Sequence, residues 1–262
     1  MMITTLMENL VYQKRLTAEH GLALHVEVDG QQILFDTGQT EGLIQNAGEL
    51  GIDPGNIDHC IISHGHYDHT GGLGEVMSMN PRMKLWIHPQ ASLPRYNRHG
   101  EYIGMASPEL TKASSRTEGV TRISETVYIL PAASITYPED LNMEGFTMDI
   151  DGKRVPDKFS DEQSLVLVRN GRLQILSGCS HRGITNIIQS AVDHFHLPVD
   201  LVVGGFHLRH SQDLDAIARI LNGFKIRRIG VSHCTGVRQY TQLQTLVNAE
   251  VFYNHTGSII TI

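Results

Sequence analysis

The sequence has few cysteines, which excludes a fold that depends on disulfide bonds. Only Cys60, Cys179 and Cys234 occur in 262 residues, whereas disulfide-dependent secreted domains carry a denser and usually even set. We therefore expect a reducing, cytoplasmic environment. The N-terminal segment lacks a basic stretch followed by an apolar one, so no signal peptide is expected. No apolar run approaches the ~20 residues that a membrane-spanning helix needs.

Basic side chains are also scarce relative to acidic ones. Lysine and arginine number 21 against 28 aspartates and glutamates, which gives a formal net charge of -7. Because nucleic-acid binding through phosphate contacts needs a basic face, we expect a small-molecule partner and neither a nucleic acid nor a membrane. The sequence carries no signal for the oligomeric state. Histidine, by contrast, is abundant at 15 residues, and imidazole is the commonest metal ligand in proteins.

Two halves of the chain show the same order of patterns: a hairpin, a helix and a buried strand. The first-half segments are 22–28, 32–35, 43–50 and 60–62, and the second-half segments are 165–168, 173–176, 184–195 and 201–203. Asp29-Gly30 and Asn170-Gly171 are the hairpin turns, and Thr185 is a candidate cap of the second helix. This duplication predicts an α/β fold of two similar halves, in which two sheets pack together with helices outside.

Further segments complete the predicted domain, which spans residues 1–262. A helix over 214–221 with Ser211 as its candidate cap precedes a strand over 226–231, and a last strand covers 258–262. Residues 88–160 do not fit the repeat and contain several prolines. We predict a loop-rich insertion there, and insertions beside an active site often carry substrate contacts.

Four potential metal ligands lie within the run of residues 63–72, directly after a predicted buried strand. They are His64, His66, Asp68 and His69. In an extended segment His64 and His66 point the same way, and the other two follow one turn later. Imidazoles and a carboxylate suit zinc, iron or manganese better than calcium or magnesium. The alternative is a polar surface loop that contains three histidines by chance.

The same run resembles the signature of the metallo-β-lactamase superfamily, and Asp36-Thr37-Gly38 resembles the superfamily's first motif. The resemblance covers essentially the whole chain and implies an αββα sandwich. It also implies that His64 and His66 bind one metal with a third histidine, and that Asp68 and His69 bind a second metal with a late histidine. A later aspartate usually bridges the two.

Shorter motifs are similar to a narrower branch of this superfamily, related to the synthase that joins a pterin to ribofuranosylaminobenzene phosphate. Many members of that branch are described only as metal-dependent hydrolases. The motifs are Glu19-His-Gly-Leu22, Asp161-Glu162, Ser177-Gly-Cys-Ser-His-Arg-Gly-Ile184, Gly204-Gly-Phe-His-Leu208 and Ser232-His-Cys-Thr-Gly236. The branch resemblance implies that Glu19, His20, Asp161 and Glu162 lie in or beside the site.

The later ligands depart from the superfamily pattern, because Gly178-Cys179 stands where a glycine-aspartate pair is usual. Cys179 is either a thiolate ligand or a small buried residue, so the number of metals, one or two, stays open. We predict that His181 and His233 are ligands, with local hydrogen bonding as their alternative role. His207 is a candidate general acid, with a further metal ligand or a structural histidine as alternatives.

These residues together predict an enzyme, a metal-dependent hydrolase of a small-molecule substrate. A divalent transition metal, zinc or alternatively iron or manganese, would activate a water molecule. Asp68 would bind metal and accept a proton, and His207 would protonate the leaving group. A phosphoester is our first expectation for the substrate, and an ester or lactone is the second. A transferase similar to the pterin-joining synthase and a non-catalytic, metal-bearing ligand-binding protein are the alternatives.

Overall fold

The structure is a computed structural model that describes residues 1–208 and 213–262, apart from the side chain of Ala113. The strands, in chain order, are β1 (Met2–Met7), β2 (Ala23–Val28), β3 (Gln31–Phe35), β4 (His59–Ile61), β5 (Lys84–Ile87), β6 (Arg95–Tyr96), β7 (Ser115–Arg116), β8 (Thr121–Arg122), β9 (Val127–Leu130), β10 (Thr147–Ile150), β11 (Lys153–Pro156), β12 (Ser164–Arg169), β13 (Arg172–Ser177), β14 (Val199–Gly205), β15 (Arg228–Ser232), β16 (Glu250–Tyr253) and β17 (Ile259–Thr261). The α-helices are α1 (Gly42–Glu49), α2 (Tyr67–Thr70), α3 (Leu73–Met79), α4 (Ile184–Phe195), α5 (Leu214–Gly223) and α6 (Val237–Leu246).

The chain divides into two units, of which unit 1 comprises Met1–Glu118, Gly145–Asp157 and His255–Ile262. Its main sheet has the strand order β17-β1-β2-β3-β4-β5-β7. Strands β3, β4 and β5 are parallel, so their carboxyl ends share one edge, and the His64 run begins there. Leu43 and Ala47 of α1 pack in one core with Leu73 and Val76 of α3.

Unit 2 comprises Gly119–Glu144 and Lys158–Asn254. Its sheet has the strand order β16-β15-β14-β13-β12-β9-β8, with β13 to β16 parallel. Apolar side chains of α4 and α5 pack in one core cluster with those of the strands. Because β13, β14 and β15 run in one direction, the segments that carry His181, His207 and His233 leave the sheet at the same edge.

The predicted duplication is present in both units. Strands β2 and β3 form an antiparallel hairpin, α1 follows, and β4 pairs parallel to β3. Strands β12 and β13, helix α4 and strand β14 repeat this order. The stretch 88–160 contributes β8 and β9 to the sheet of unit 2, and β6, β10 and β11 to a separate three-stranded sheet in unit 1.

The structure corrects one predicted helix cap and adds elements that the patterns missed. Gly183 is the N-cap of α4, and Thr185 is not; its backbone N–H and hydroxyl both donate to Oδ2 of Asp140. Ser211 lies outside the described residues, and Asp213 caps α5 by accepting from the Ala216 N–H. Strands β1 and β16 and helix α6 were not predicted. Among the described residues, no helix has the length and apolarity that a membrane crossing requires.

Candidate metal centre

In unit 1, the four predicted ligands of the His64 run lie together and are buried. His64 and His69 are fully buried, and His66 and Asp68 are 5% exposed. The ring centroid of His64 is 4.5 Å from that of His66 and 4.3 Å from that of His69. Residue His66 is extended and caps the short helix α2, which brings Asp68 and His69 back toward the preceding residues. The sequence predicted this convergence.

Asp36 organises the run, a role that the sequence did not predict. It follows β3 and is fully buried. Its Oδ1 accepts from the Ser63 N–H at 2.6 Å, and its Oδ2 accepts from the Ser63 hydroxyl and from His69 Nδ1, each at 2.7 Å. An ionised carboxylate only accepts, so His69 carries its proton on Nδ1, and Nε2 is the nitrogen that would bind metal.

Ser63 fixes the tautomer of the second imidazole, that of His64. The Ser63 hydroxyl proton points to Asp36, so the 2.9 Å contact between Ser63 Oγ and His64 Nδ1 requires His64 to donate from Nδ1. Both rings therefore present Nε2 as the ligand atom. One buried carboxylate sets the tautomers of two predicted ligands, as supporting groups around metal sites usually do.

Two glycines permit the tight backbone of this run. A β-carbon built on Gly65 would lie 1.9 Å from the carbonyl oxygen of Ala91, and one on Gly71 would lie 1.8 Å from that of Gln39. No side chain fits at such distances. The close approach of neighbouring backbone therefore requires glycine at these two positions.

In unit 2, the predicted ligands follow the ends of neighbouring parallel strands. The Sγ of Cys179 lies within 4.8 Å of a ring nitrogen of His181 and within 4.8 Å of one of His233. The ring centroids of His181 and His207 are 4.5 Å apart. His207 and His233 have φ angles of 49° and 53°, a conformation that L-residues seldom adopt and that is common at functional sites.

His181 is held by contacts on both its backbone and its ring. Its Nδ1 donates to the carbonyl oxygen of Asn142 at 3.1 Å, and its own carbonyl accepts from the Asn142 N–H at 2.8 Å. Phe159 stacks on the imidazole with 3.9 Å between centroids. Because Nδ1 must carry the proton to donate to a carbonyl, Nε2 is again the nitrogen that would bind metal.

Glu162, which the branch resemblance placed near the site, supports the same turn. Its carboxylate accepts from the backbone N–H groups of His181 at 2.6 Å and Arg182 at 3.0 Å. Burial raises the pKa of Glu162 to about 7. Its neighbour Asp161 is fully buried. Glu162 therefore belongs to the packed surroundings of His181, and Asp161 is buried beside it in the chain.

The remaining pair from the branch motifs lies in unit 1. Glu19 accepts from the backbone N–H groups of Gln39 and Thr40 and from the Thr40 hydroxyl, so it supports the loop that follows β3. His20 is half-exposed, and its Nε2 is 3.3 Å from Oδ2 of Asp68. His20 therefore contacts a predicted ligand directly.

The chemistry of the donors fits a transition metal. Unit 1 offers three imidazoles and one carboxylate, and unit 2 offers two predicted imidazole ligands and the thiol of Cys179. This mixture of nitrogen, oxygen and sulfur matches zinc and iron, whereas calcium and magnesium prefer oxygen alone.

Comparisons with known proteins support this interpretation. The family model of the metallo-β-lactamase superfamily matches residues 16–148, slightly more than half of the chain. The uncharacterised protein MJ0448 of Methanocaldococcus jannaschii is 32% identical over 269 residues and is covered fully, as is this chain. The 7,8-dihydropterin-6-methyl-4-(β-D-ribofuranosyl)-aminobenzene-5'-phosphate synthase of the same organism is 29% identical, over 98% of this chain and 95% of the synthase.

A solved structure agrees over the whole chain. Tm1679, a metal-dependent hydrolase of the β-lactamase superfamily, has a TM-score of 0.89 and 30% identity, over 100% of this chain and 98% of that one. These similarities confirm the predicted fold class and the resemblance to the synthase-related branch. The chain belongs to the metallo-β-lactamase superfamily.

Proposed function

We propose that this protein is a metal-dependent hydrolase whose substrate is a phosphorylated small molecule. The observation that carries the proposal is the buried cluster of His64, His66, Asp68 and His69, with Asp36 and Ser63 fixing the imidazole tautomers. Such an arrangement presents preset ligand atoms to a metal ion, which structural histidines do not need. An ester or lactone is the second substrate class that we propose.

The proposed ligands are those four residues together with His181 and His233, and Cys179 as a thiolate. The superfamily pattern supports this set, because it draws ligands from both halves of the fold. The position of the Cys179 thiol near the rings of His181 and His233 supports its inclusion. We propose zinc, with iron or manganese as alternatives, and a cytoplasmic location, where three free thiols persist.

When bound, the metal would lower the pKa of a water molecule and polarise the bond under attack. His207 would donate a proton to the leaving group, since it is partly exposed and lies beside His181 at the edge of the parallel strands. Asp68 would accept a proton from the attacking water. The phosphate in the name of the relative synthase supports a phosphorylated substrate. Hydrolysis of β-lactams is not proposed, because a fold does not fix the reaction.

A synthase activity is the second candidate, favoured by the full-length similarity to the pterin-related synthase. In that case the same site would hold and orient a phosphorylated aromatic substrate without net hydrolysis. The two candidates share the metal centre and differ in whether water is the attacking group.

A substrate panel tests the proposal. Zinc-loaded protein is assayed on phosphoesters, lactones and thioesters, beside His207→Ala and the control His194→Ala, which changes an exposed histidine of α4. We expect turnover of a phosphoester, a loss of roughly 10²–10⁴-fold in kcat in His207→Ala, and no change in His194→Ala. No turnover together with pterin binding would favour the synthase. Ligand binding without turnover, unaffected by His207→Ala, would indicate a non-catalytic binding protein.

A further inference from the structure

Arg95 is a buried cation in unit 1 that the proposed function does not use. It is 1% exposed and heads the largest fully buried side chains among the described residues. Its Nε donates to Oδ2 of Asp157 at 2.9 Å, and Asp157 is 3% exposed. Burying an arginine is costly unless it is paired and its other donors are used. The groups that the pair contacts therefore indicate its role.

The guanidinium organises one turn of backbone. Its Nη1 donates to the carbonyl oxygens of Gln90, Ala91 and Leu93 at 3.0, 3.1 and 3.2 Å. These residues form or follow a short 3₁₀ segment, Pro89–Ser92, after β5. Three carbonyls that converge on one nitrogen constrain the path of that segment.

This turn lies directly against the metal-ligand run. A β-carbon on Gly65 would be 1.9 Å from the Ala91 oxygen and 2.7 Å from Arg95 Nη1. The backbone between His64 and His66 therefore packs against the guanidinium and against the turn that the guanidinium orders. Gly65, which joins the two histidines, is therefore in close contact with this turn.

Backbone contacts of the same two residues lead to the neighbourhood of His66 by two further routes. The Arg95 carbonyl accepts from the Ile103 N–H at 2.8 Å, and the Ile103 carbonyl accepts from the Tyr67 N–H at 3.0 Å. On the other side, the Asp157 N–H donates to the Phe146 carbonyl at 3.0 Å. The Phe146 ring is 5.9 Å from the ring of His66.

We infer that the Arg95–Asp157 pair is a positioning device that sets the spacing of His64 and His66 for metal binding. The inference rests on the proposed function, since it takes these histidines as metal ligands. A permanent charge with several donors in one plane suits this role, because lysine cannot serve the carboxylate and three carbonyls with the same geometry.

The test compares Arg95→Lys with Arg227→Lys, a matched change in the Arg227–Asp200 pair of unit 2, whose arginine is exposed. Zinc affinity is measured by competition with a chelator, ligand geometry by the absorption spectrum of the cobalt-substituted protein, and folding by the unfolding temperature of the metal-free protein. We expect Arg95→Lys to weaken zinc binding by roughly 10–100-fold and to change the cobalt spectrum. Arg227→Lys should change neither.

A lower unfolding temperature in Arg95→Lys with unaltered zinc affinity and cobalt spectrum would overturn the inference, because the pair would then be structural alone. If Arg95→Lys does not fold, Asp157→Asn replaces it. This variant keeps an oxygen acceptor for Nε but removes the negative charge that pairs with the guanidinium, so it should show the same two changes. Absence of zinc binding by the wild type would contradict the proposed function. Equal affinity in wild type and variant would contradict only the positioning role.

Discussion

Replacing Asp36 by asparagine should weaken metal binding by changing the tautomer of His69. An asparagine whose oxygen accepts from the Ser63 N–H places its NH₂ group where Oδ2 meets the Ser63 hydroxyl and His69 Nδ1. Two donors cannot face each other, so His69 must move its proton to Nε2, the proposed ligand atom. If the amide is reversed, its NH₂ group faces the Ser63 N–H, so two donors again oppose each other.

The size of the effect follows from the buried contact. Restoring the metal-binding tautomer leaves a buried donor without an acceptor, which costs about 1–3 kcal/mol, in line with the 10–100-fold losses of affinity typical of such supporting groups. We therefore expect the zinc dissociation constant of Asp36→Asn to rise roughly 10–100-fold in chelator competition. Asp53→Asn is the control, since it removes the same charge from an exposed turn of unit 1. An Asp36→Asn affinity within about twofold of wild type would refute the tautomer argument.

Two further predictions concern pH and backbone packing. Burial raises the pKa of Asp140 from 3.8 to about 7, so the folded protein holds this proton more tightly than the unfolded chain does. The contribution of Asp140 to the free energy of unfolding is full below pH 3.8 and is lost as the pH rises to 7. The total loss is about 4 kcal/mol, at about 1.4 kcal/mol per pKa unit. Asp140→Asn should lack this loss, which denaturant unfolding of both proteins from pH 4 to 8 measures. Parallel pH profiles of the wild type and Asp140→Asn would contradict the prediction. Gly65→Ala should reduce zinc affinity at least about tenfold by displacing Ala91. Gly74→Ala, whose nearest contact is 3.8 Å away, should not. Equal zinc affinities in the two variants would exclude the close approach at Gly65 as a determinant of the site.

Elements with a strong periodic pattern could be predicted from the sequence. Helix α4 has the predicted limits, Ile184–Phe195, because its buried isoleucines recur at helical spacing. Strand β1 shows no alternation because both of its faces are buried. Helix α6 is mostly polar and buries only Leu243, so it shows no apolar stripe. Periodicity alone therefore predicted neither element.

The candidate site likewise has a part that the sequence predicts and a part that it does not. The ligands of unit 1 lie within six consecutive positions, so their convergence is a local property of the chain. The contact of Asp36 with His69 joins residues 33 positions apart, and the contact of Arg95 with Asp157 joins residues 62 apart. No local pattern shows which distant carboxylate meets which donor, because that depends on how strands pair and turns pack.

The metal content of protein purified without added metal shows whether the His64 run binds a metal ion. Elemental analysis of the wild type is compared with the double variant His64→Ala/His69→Ala and with His99→Ala, which changes an exposed histidine of unit 1. We expect one or two equivalents of a transition metal, zinc first, in the wild type and in His99→Ala, and their loss in the double variant. A wild type without transition metal, or a double variant that keeps the wild-type content, would contradict this expectation.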